Sequence, residues 1–385
     1  MKRTLILLIL ITTIIGCNER KNLSDEHITC LKPVPDKPQQ ISGMLKSVRF
    51  IPLETTDQSL IGRMTGKIKK INNKYYVSHS RKELLEFDEN GLFLRKIGRI
   101  GTGPGEYSEL CDYDVFENGN ILIEDAMKLI FYDRDGKYLH SVMLDFMPYN
   151  IKIVKDERIL ASGSGEEYAF YEIDLSGKVI KKEFKSNKAT RWGSPIAFIT
   201  YGQDKTITKI GRSNDCILYD FNDKNFSYTR LVCDNDILSS VKEEELNQVY
   251  NDKYEDVYRN VNGIFTMAGS DSHLFFLSGY IFSDNKKSIQ VLNIETGNIE
   301  HVISNKDIDD VTFTDNPFFM FGAWGTDAKD CFITYIYPDK IWNGLKKHSD
   351  FEENPNYKKL KELFMDKSED EVIDENPMLV EFVFK

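Results

Sequence analysis

The chain has 385 residues, of which 41% are hydrophobic, and its 50 basic and 61 acidic side chains give a net charge of −11. This acidic balance argues against binding to nucleic acid and against electrostatic binding to anionic lipid, because each of these interactions needs a basic protein surface. The 19 tyrosines and 24 phenylalanines favour β-structure.

The N-terminus is predicted to be an export signal that ends in a lipidation site. Two basic residues open the chain, an apolar run extends from Leu5 to Ile15, and Gly16 and Cys17 follow. This order is typical of a signal peptide. The last four of these residues resemble the bacterial lipobox, which predicts that residues 1–16 are removed and Cys17 is lipidated. The alternative is an ordinary signal peptide with an incidental cysteine.

Residues 17–44 are predicted to be a tether, because Pro33, Pro35, Pro38 and many charges leave few large apolar side chains there. Removal of residues 1–16 takes the net charge from −11 to −13, so any membrane attachment would depend on acyl chains on the lipidated cysteine. The predicted location is the cell envelope, at the outer membrane.

The other five cysteines do not indicate a disulfide framework or a zinc site. Their number is odd, and their spacing includes no CxxC pair. They are Cys30, Cys111, Cys216, Cys233 and Cys331.

A strand–turn–strand pattern recurs along the chain and predicts the architecture. Each copy has an apolar strand, a polar turn with Asp, Asn or Gly, and an alternating second strand. The copies cover residues 84–97, 129–142, 170–183, 217–232 and 289–303. Two further strand candidates precede each copy, and the spacing of 41 to 45 residues between the first three turns is typical of four-stranded propeller blades.

A last strand pair, 318–325 and 330–338, needs two outer strands. Residues 378–385 can supply one and residues 47–55 the other, so that the two chain ends pair and close the ring. The sequence therefore predicts an all-β, six-bladed β-propeller over residues 45–385.

The chain resembles the six-bladed propeller lipoproteins of Bacteroides-type bacteria, which are related to NHL-repeat propellers. The resemblance is carried by the lipobox, by Phe50-Ile-Pro-Leu-Glu54, by Gly101-Thr-Gly-Pro-Gly-Glu-Tyr107 and by Asp374-Glu-Asn-Pro-Met-Leu-Val380. It implies a fold and a cell compartment, and it implies no particular reaction.

Connectivity predicts that one face of the propeller is more elaborate than the other. If the strands of a blade are called A to D from the axis outwards, the A–B and C–D turns share one face. The B–C turns and the crossings to the next blade share the other face, which we call the B–C face. Two inserts with helical patterns, 233–260 and 339–377, are both predicted to lie on it.

Long connections on a rigid scaffold usually carry function, so the B–C face is the predicted binding face. The predicted binding residues are those that its turns and crossings present, together with an aromatic residue near the channel mouth. They are His79, Arg81, Arg99, Glu106, Tyr107, Glu124, Asp125 and Trp324. No catalytic residue and no metal ligand is assigned.

The glycines at positions 101, 103 and 105 are assigned to backbone geometry. A dinucleotide loop would need a helix directly after them, and here Pro104 and a strand follow. No organic cofactor is therefore expected.

Three functions agree with these features. The first is a non-enzymatic, lipid-anchored module that binds a small ligand or an envelope protein. The second is a hydrolase or lyase with a divalent ion such as Ca²⁺ at the central channel. The third is a structural subunit of an outer-membrane assembly.

Overall fold

The computed structural model describes residues 28–30, 32–62, 64–154, 158–163, 167–185, 198–201, 205–210, 215–220, 228–232, 262–270, 273–280, 287–293, 296–317, 319–320, 324–326, 330–364 and 366–385. The predicted lipidation site at Cys17 and the predicted insert 233–260 lie outside these residues.

Strands dominate the described part of the chain. In the N-terminal half they are β1 (Ile28–Cys30), β2 (Leu45–Pro52), β3 (Met64–Ile71), β4 (Lys74–His79), β5 (Glu83–Asp88), β6 (Phe93–Ile97), β7 (Arg99–Ile100), β8 (Glu106–Tyr107), β9 (Asp112–Val115), β10 (Ile121–Asp125), β11 (Lys128–Tyr132), β12 (Tyr138–Met143), β13 (Pro148–Val154), β14 (Arg158–Gly163), β15 (Tyr168–Ile173) and β16 (Val179–Lys185). In the C-terminal half they are β17 (Phe198–Tyr201), β18 (Lys205–Ile210), β19 (Asp215–Asp220), β20 (Tyr228–Val232), β21 (Asn262–Gly269), β22 (His273–Tyr280), β23 (Ser288–Asn293), β24 (Asn298–Ser304), β25 (Trp324–Gly325), β26 (Cys331–Ile336) and β27 (Met378–Phe384).

The protein is a β-propeller whose blades are four-stranded antiparallel sheets. Five sheets have four strands, and their orders are β3-β4-β5-β6, β9-β10-β11-β12, β13-β14-β15-β16, β21-β22-β23-β24 and β25-β26-β27-β2. The expectation of six four-stranded blades is therefore not met as stated. The remaining large sheet, β17-β18-β19-β20, gains a fifth strand because β1 pairs in parallel with its outer strand.

The two ends of the predicted domain share one sheet. Strand β2 pairs antiparallel with β27, and the register runs from Leu45 opposite Phe384 to Pro52 opposite Met378. An early strand thus forms the outer edge of a sheet whose other strands come from the end of the chain.

Tight turns join the outer strand pairs of the first three blades, and an aspartate shapes each turn. Asp88 Oδ1 accepts hydrogen bonds from the backbone N–H groups of Asn90, at 2.8 Å, and Leu92, at 2.9 Å. Asp133 and Asp174 bind their own turns in the same way. The glycine three positions after each aspartate has a positive φ, between 79° and 86°, which glycine adopts without steric cost.

The core lies between neighbouring sheets. One buried cluster joins Tyr76 and Leu84 of the first blade to Tyr113 and Ile121 of the second. Inner and middle strands are covered on both faces, as in β10, where all five residues are buried, including Glu124 and Asp125.

Part of the predicted tether is bound to the propeller. The side chain and backbone N–H of Lys32 bind the sheet of β21–β24 through Ile299 and Gln290. Further on, the Gln39 backbone N–H donates to Asp307 at 2.7 Å and that of Ser42 donates to Asp310 at 2.9 Å. A 3₁₀ turn at Ile41–Met44 then leads into β2. Residues of the predicted tether between 32 and 44 thus have hydrogen-bond partners on β23, on β24 and in the crossing that follows β24.

Helices lie between β26 and β27. They are α1 (Pro338–Lys347), α2 (Pro355–Phe364) and α3 (Glu369–Ile373), with a 3₁₀ turn at Ser349–Phe351. Helix α2 buries Tyr357, Leu360 and Phe364, in one cluster with Val311 and Phe313 of the crossing before β25. No described helix has the length and apolar character needed to cross a membrane.

Candidate functional site

Hydrogen bonds join crossings between blades to a B–C turn and to the helical insert. The Leu110 backbone N–H donates to Arg81 O at 3.0 Å, which joins the crossing before β9 to the β4–β5 turn. Asn376, at the end of the helical insert, binds Ile61 and Ser59 of the crossing before β3. The helical insert 339–377 and these crossings therefore lie on the same B–C face.

Arg81 occupies the β4–β5 turn, where both it and Ser80 have a φ of +54°. Its Nε lies 3.0 Å from Glu109 Oε1, and its Nη2 lies 3.9 Å from the Cys111 Sγ. The arginine and the glutamate are both half exposed, so this pair contributes little stability and remains accessible from solvent.

Asp125 ends β10 and holds the crossing that precedes β9. Its carboxylate accepts hydrogen bonds from the backbone N–H groups of Ser108 and Glu109, both at 3.1 Å, and it pairs with Lys128 at 2.9 Å. Burial opposes its ionisation, but the hydrogen bonds from Ser108 and Lys128 outweigh burial and hold the pKa of Asp125 below its usual value.

Glu124, beside Asp125 on β10, is fully buried, and neither of its carboxyl oxygens has a hydrogen-bond partner among the residues that the structure describes. Burial, reinforced by the charge of Asp112, raises the pKa of Glu124 to about 9, although Lys67 and Arg81 partly offset this effect. Glu124 therefore carries a proton at neutral pH. Buried carboxyl oxygens without partners are rare in native proteins and call for an explanation.

Next to Glu124, three innermost strands bring together the side chains that we call the lysine–aspartate cluster, Lys67, Lys69, Asp112, Asp114 and Lys152. Three ion pairs link strands β3, β9 and β13. They are Lys67–Asp112 at 3.1 Å, Lys69–Asp114 at 3.1 Å and Lys152–Asp114 at 3.3 Å.

Both aspartates of the cluster also accept backbone hydrogen bonds from β13. The Ile151 N–H donates to Asp112 at 2.9 Å, and the Ile153 N–H donates to Asp114 at 2.8 Å. The two carboxylates therefore join the innermost strands of the second and third blades. Lysines from β3 on one side and from β13 on the other pair with these carboxylates.

The titration of the cluster follows from burial and charge. Burial opposes the ionisation of Asp114, but the lysines dominate and hold its pKa far below the usual value. Burial lowers the pKa of Lys152 to about 7; Asp114 opposes this shift, and Lys69 and Lys67 reinforce it. A lysine that is only partly protonated at neutral pH is typical of functional sites, although structural ion-pair networks also produce it.

The other predicted binding residues do not join this cluster. His79 Nε2 lies 2.9 Å from Glu83, which also pairs with Lys96. Arg99 pairs with Glu106 at 2.6 Å across the glycine-rich crossing.

The two predicted aromatic residues have packing contacts. Tyr107 is buried and donates a hydrogen bond to Ile97 O at 3.2 Å. Trp324 is partly buried and packs against a core cluster that includes Ile333 and Leu379.

Arg81, Glu124 and Asp125 are among the predicted binding residues, whereas the lysines of the cluster are not. Their signal was available, since Lys67 and Lys69, and likewise Asp112 and Asp114, are spaced two apart on strands that line the axis and so share a face. No group of three or more His, Cys, Asp and Glu side chains with metal-binding geometry occurs in the part of the chain that the structure describes.

A family model for a domain of unknown function, DUF4934, matches residues 29–382. This match covers most of the sequence. The chain belongs to the DUF4934 family. No curated protein matches it.

Solved structures that resemble this DUF4934 protein include one from Bacteroides fragilis NCTC 9343, whose name calls it a presumed exported protein. That structure has a TM-score of 0.70 and 17% identity, over 93% of this chain and 99% of the other. A Bacteroides caccae protein of unknown function has a TM-score of 0.40 and 13% identity, over 62% and 80% of the two chains. PorZ, a surface component of the type-IX secretion system of Porphyromonas gingivalis, has a TM-score of 0.36 and 11% identity, over 63% and 28%. The first likeness supports the fold.

The buried acid predicts a pH dependence of the stability of the DUF4934 protein. Above the ordinary glutamate pKa of 4.5, Glu124 ionises in the unfolded chain but stays protonated in the folded chain up to about pH 9. Its contribution to the free energy of unfolding is therefore complete below pH 4.5, and it falls by ~1.4 kcal/mol per pH unit through this window. Glu124→Gln removes the ionisation, so the variant is expected to gain stability relative to the wild type as the pH rises.

Denaturant unfolding at several pH values measures this difference. Glu83→Gln serves as the control, because the hydrogen bonds of Glu83 to Lys96 and His79 outweigh the effect of burial and hold its pKa below the usual value. The stabilising contribution of Glu83 is therefore lost as the pH falls, and the control difference should have the opposite slope. Equal slopes for the two variants would contradict the assignment of Glu124 as a neutral acid.

Proposed function

We propose that this protein is a lipid-anchored β-propeller of the cell envelope that binds a small ligand or an envelope protein on its B–C face. The observation that carries this proposal is the asymmetry of the two faces. In the described residues, the helical insert and the long crossings meet on the B–C face, while hairpin turns shaped by aspartates occupy the other face. Variable connections on a rigid scaffold are where proteins usually place binding residues.

We also propose that the propeller has six blades and closes as a ring, with the five-stranded sheet as the remaining blade. The support is the order of contacts among the innermost strands. Strand β3 contacts β9, β9 contacts β13, β13 contacts β17, and the series continues through β21 and β25 back to β3. The pairing of β2 with β27 would then fasten the ring between the chain ends.

The envelope location rests on the lipobox-like sequence that ends at Cys17. The name of the Bacteroides fragilis structure, which calls that protein a presumed exported one, agrees with it. We expect the wild type in the membrane fraction and Cys17→Ala in the soluble fraction after cell disruption. A Cys17→Ala protein that stays with the membrane would mean that lipidation is not the anchor.

The binding face is tested with two matched charge reversals. Arg81→Glu changes the B–C face, and Arg134→Glu changes an exposed turn on the opposite face. Crosslinking in intact cells should capture an envelope component with the wild type and Arg134→Glu and lose it with Arg81→Glu. Loss with Arg134→Glu alone would place binding on the opposite face and contradict the proposal.

A further inference from the structure

The crossing from β12 to β13 exposes a row of apolar side chains on the B–C face. Burial alternates from one residue to the next along residues 143–149. The buried side chains are Leu144, Phe146 and Pro148. Between and beside them, Met143 is 67% exposed, Met147 50% and Tyr149 46%. Single exposed apolar residues are ordinary, but neighbouring ones that form a patch mark interaction surfaces.

The buried residues fix this crossing to the propeller. The Phe146 ring stacks on Tyr171 of the third blade, with 4.0 Å between the ring centroids. Leu144 belongs to the core between the second and third blades. The exposed side chains therefore stand on a fixed backbone, and a partner would not have to order this segment when it binds.

The neighbouring B–C turn adds a fourth apolar side chain. Met127 is 39% exposed at the tip of the β10–β11 turn, and its carbonyl accepts a hydrogen bond from the Leu144 N–H at 2.8 Å. Tips of tight turns usually carry small or polar residues. The equivalent turn of the first blade has Ser80 and Arg81 at its tip, whereas this turn has Ala126 and Met127.

We call Met127, Met143, Met147 and Tyr149 the methionine patch, and its central charge is negative. Asp145 lies between Met143 and Met147 in the sequence, is exposed, and has no hydrogen bond or ion pair with any residue that the structure describes. A partner that covered the patch would take this carboxylate out of water. Such burial is costly unless the partner supplies a cation.

These features favour a protein partner over a lipid surface or a small molecule. Lipid acyl chains offer no cation to a buried carboxylate, and the net charge of −11 opposes binding to anionic headgroups. Small ligands bind in concave sites, whereas every side chain of the patch is at least 39% exposed. Methionine side chains, by contrast, adapt readily to the apolar surface of another protein.

We propose that the methionine patch docks a segment of an envelope protein in which a lysine or arginine is flanked by apolar side chains. The inference rests on the binding function proposed above and names the class of partner. The apolar side chains of the segment would cover the methionines and Tyr149, and its cation would pair with Asp145.

The patch is connected to Arg81, which tests the binding face as a whole. Glu109 pairs with Arg81 at 3.0 Å, and the backbone N–H of Glu109 donates to Asp125, directly before the β10–β11 turn. One partner can therefore contact both the patch and Arg81.

The test selects peptides from a phage-displayed library of random sequences on the purified full chain, with Cys17→Ala to remove the predicted lipidation site. A recurring sequence is then synthesised, and its affinity is measured by fluorescence anisotropy. Met143→Ser, Met147→Ser and Asp145→Lys are the test variants. Leu139→Ser is the matched control, because Leu139 is 49% exposed at the opposite end of β12 from Met143.

We expect the selected peptides to share a lysine or arginine with apolar neighbours. Met143→Ser and Met147→Ser should each weaken binding about tenfold, as expected for an apolar side chain that an interface buries. Leu139→Ser should bind like the wild type. Asp145→Lys should abolish binding, and a peptide with glutamate in place of its basic residue should bind Asp145→Lys but not the wild type. A folding defect cannot produce such an exchange of specificity.

Selected peptides without a basic residue, or equal binding by the wild type and all three test variants, would overturn the proposal. Binding to phosphatidylcholine vesicles by the wild type but not by Met143→Ser would identify the patch as a lipid contact and would also overturn it. If the crosslinking result with Arg81→Glu holds while these tests fail, only the patch is wrong and the binding face stands. If that crosslinking result fails as well, both proposals fail.

Discussion

Asn376→Ala is expected to lower the free energy of unfolding by about 3–5 kcal/mol, because two buried backbone groups and one partly buried group lose a hydrogen-bond partner. The Asn376 Oδ1 accepts from the Ile61 N–H at 2.7 Å, and its Nδ2 donates to Glu54 O at 2.7 Å and to Ser59 O at 2.8 Å. The side chain thus ties the end of the helical insert to the crossing between β2 and β3. Denaturant unfolding of the purified variant measures the loss.

Two further variants make this prediction specific. Asn376→Asp keeps the acceptor but turns a carboxylate oxygen towards two carbonyl groups, so it should also destabilise the protein. Asn90→Ala removes an exposed asparagine from a hairpin turn and should change the stability by less than about 0.5 kcal/mol. If Asn376→Ala were as stable as Asn90→Ala, the contacts between the insert and the crossing would not hold these parts together.

Glu86→Ala is expected to destabilise the first blade by about 3 kcal/mol, because it leaves two cations without their shared carboxylate. Glu86 is fully buried on β5, its Oε1 lies 2.5 Å from Lys74 Nζ, and its Oε2 pairs with Arg95 on the neighbouring strand. Burial opposes its ionisation, but the hydrogen bonds from Arg95 and Lys74 outweigh burial and hold its pKa below the usual value.

The sign of the pH dependence follows from that lowered pKa. The contribution of Glu86 to stability is present above its pKa in the unfolded chain and is lost as the pH falls through its pKa in the folded chain. The difference between the wild type and Glu86→Ala should therefore shrink in acid, as denaturant unfolding would measure. Glu353→Ala removes an exposed partner of Lys358 and should have little effect at any pH. A similar effect of both variants would mean that the burial of Glu86 has no energetic consequence.

These predictions differ in how far the sequence could have anticipated them. The pairing of Arg95 with Glu86 follows from the predicted hairpin, because these two residues face each other on adjacent strands. Lys74 faces Asp88 and reaches Glu86 diagonally. The role of Asn376 depends on a contact between the helical insert and a crossing more than 300 residues earlier in the chain. No local sequence pattern predicts this contact.

The pairing of the added strand β1 with the propeller likewise could not be predicted from the local sequence. The prolines and charges before residue 45 predict a tether, and the local sequence offers no reason for it to bind the propeller. In the structure the outer strand β20 pairs with Ile28–Cys30, and Asp307 and Asp310 of the crossing after β24 accept hydrogen bonds from Gln39 and Ser42.

The sequence by itself determined the blade repeat. Asp88, Asp133 and Asp174 bind the backbone of their own turns, and a glycine follows at the position where φ is positive. These interactions act within five residues, so they can be read from composition and spacing.

Only the tertiary structure decided the candidate site. Lys67, Asp112 and Lys152 belong to three different blades, and they meet because the innermost strands of neighbouring blades lie side by side. The neutral state of Glu124 likewise depends on its complete burial, with no hydrogen-bond donor to it from the described part of the chain. Charge and burial at this site are set by contacts between blades, and the order of residues along one strand does not contain them.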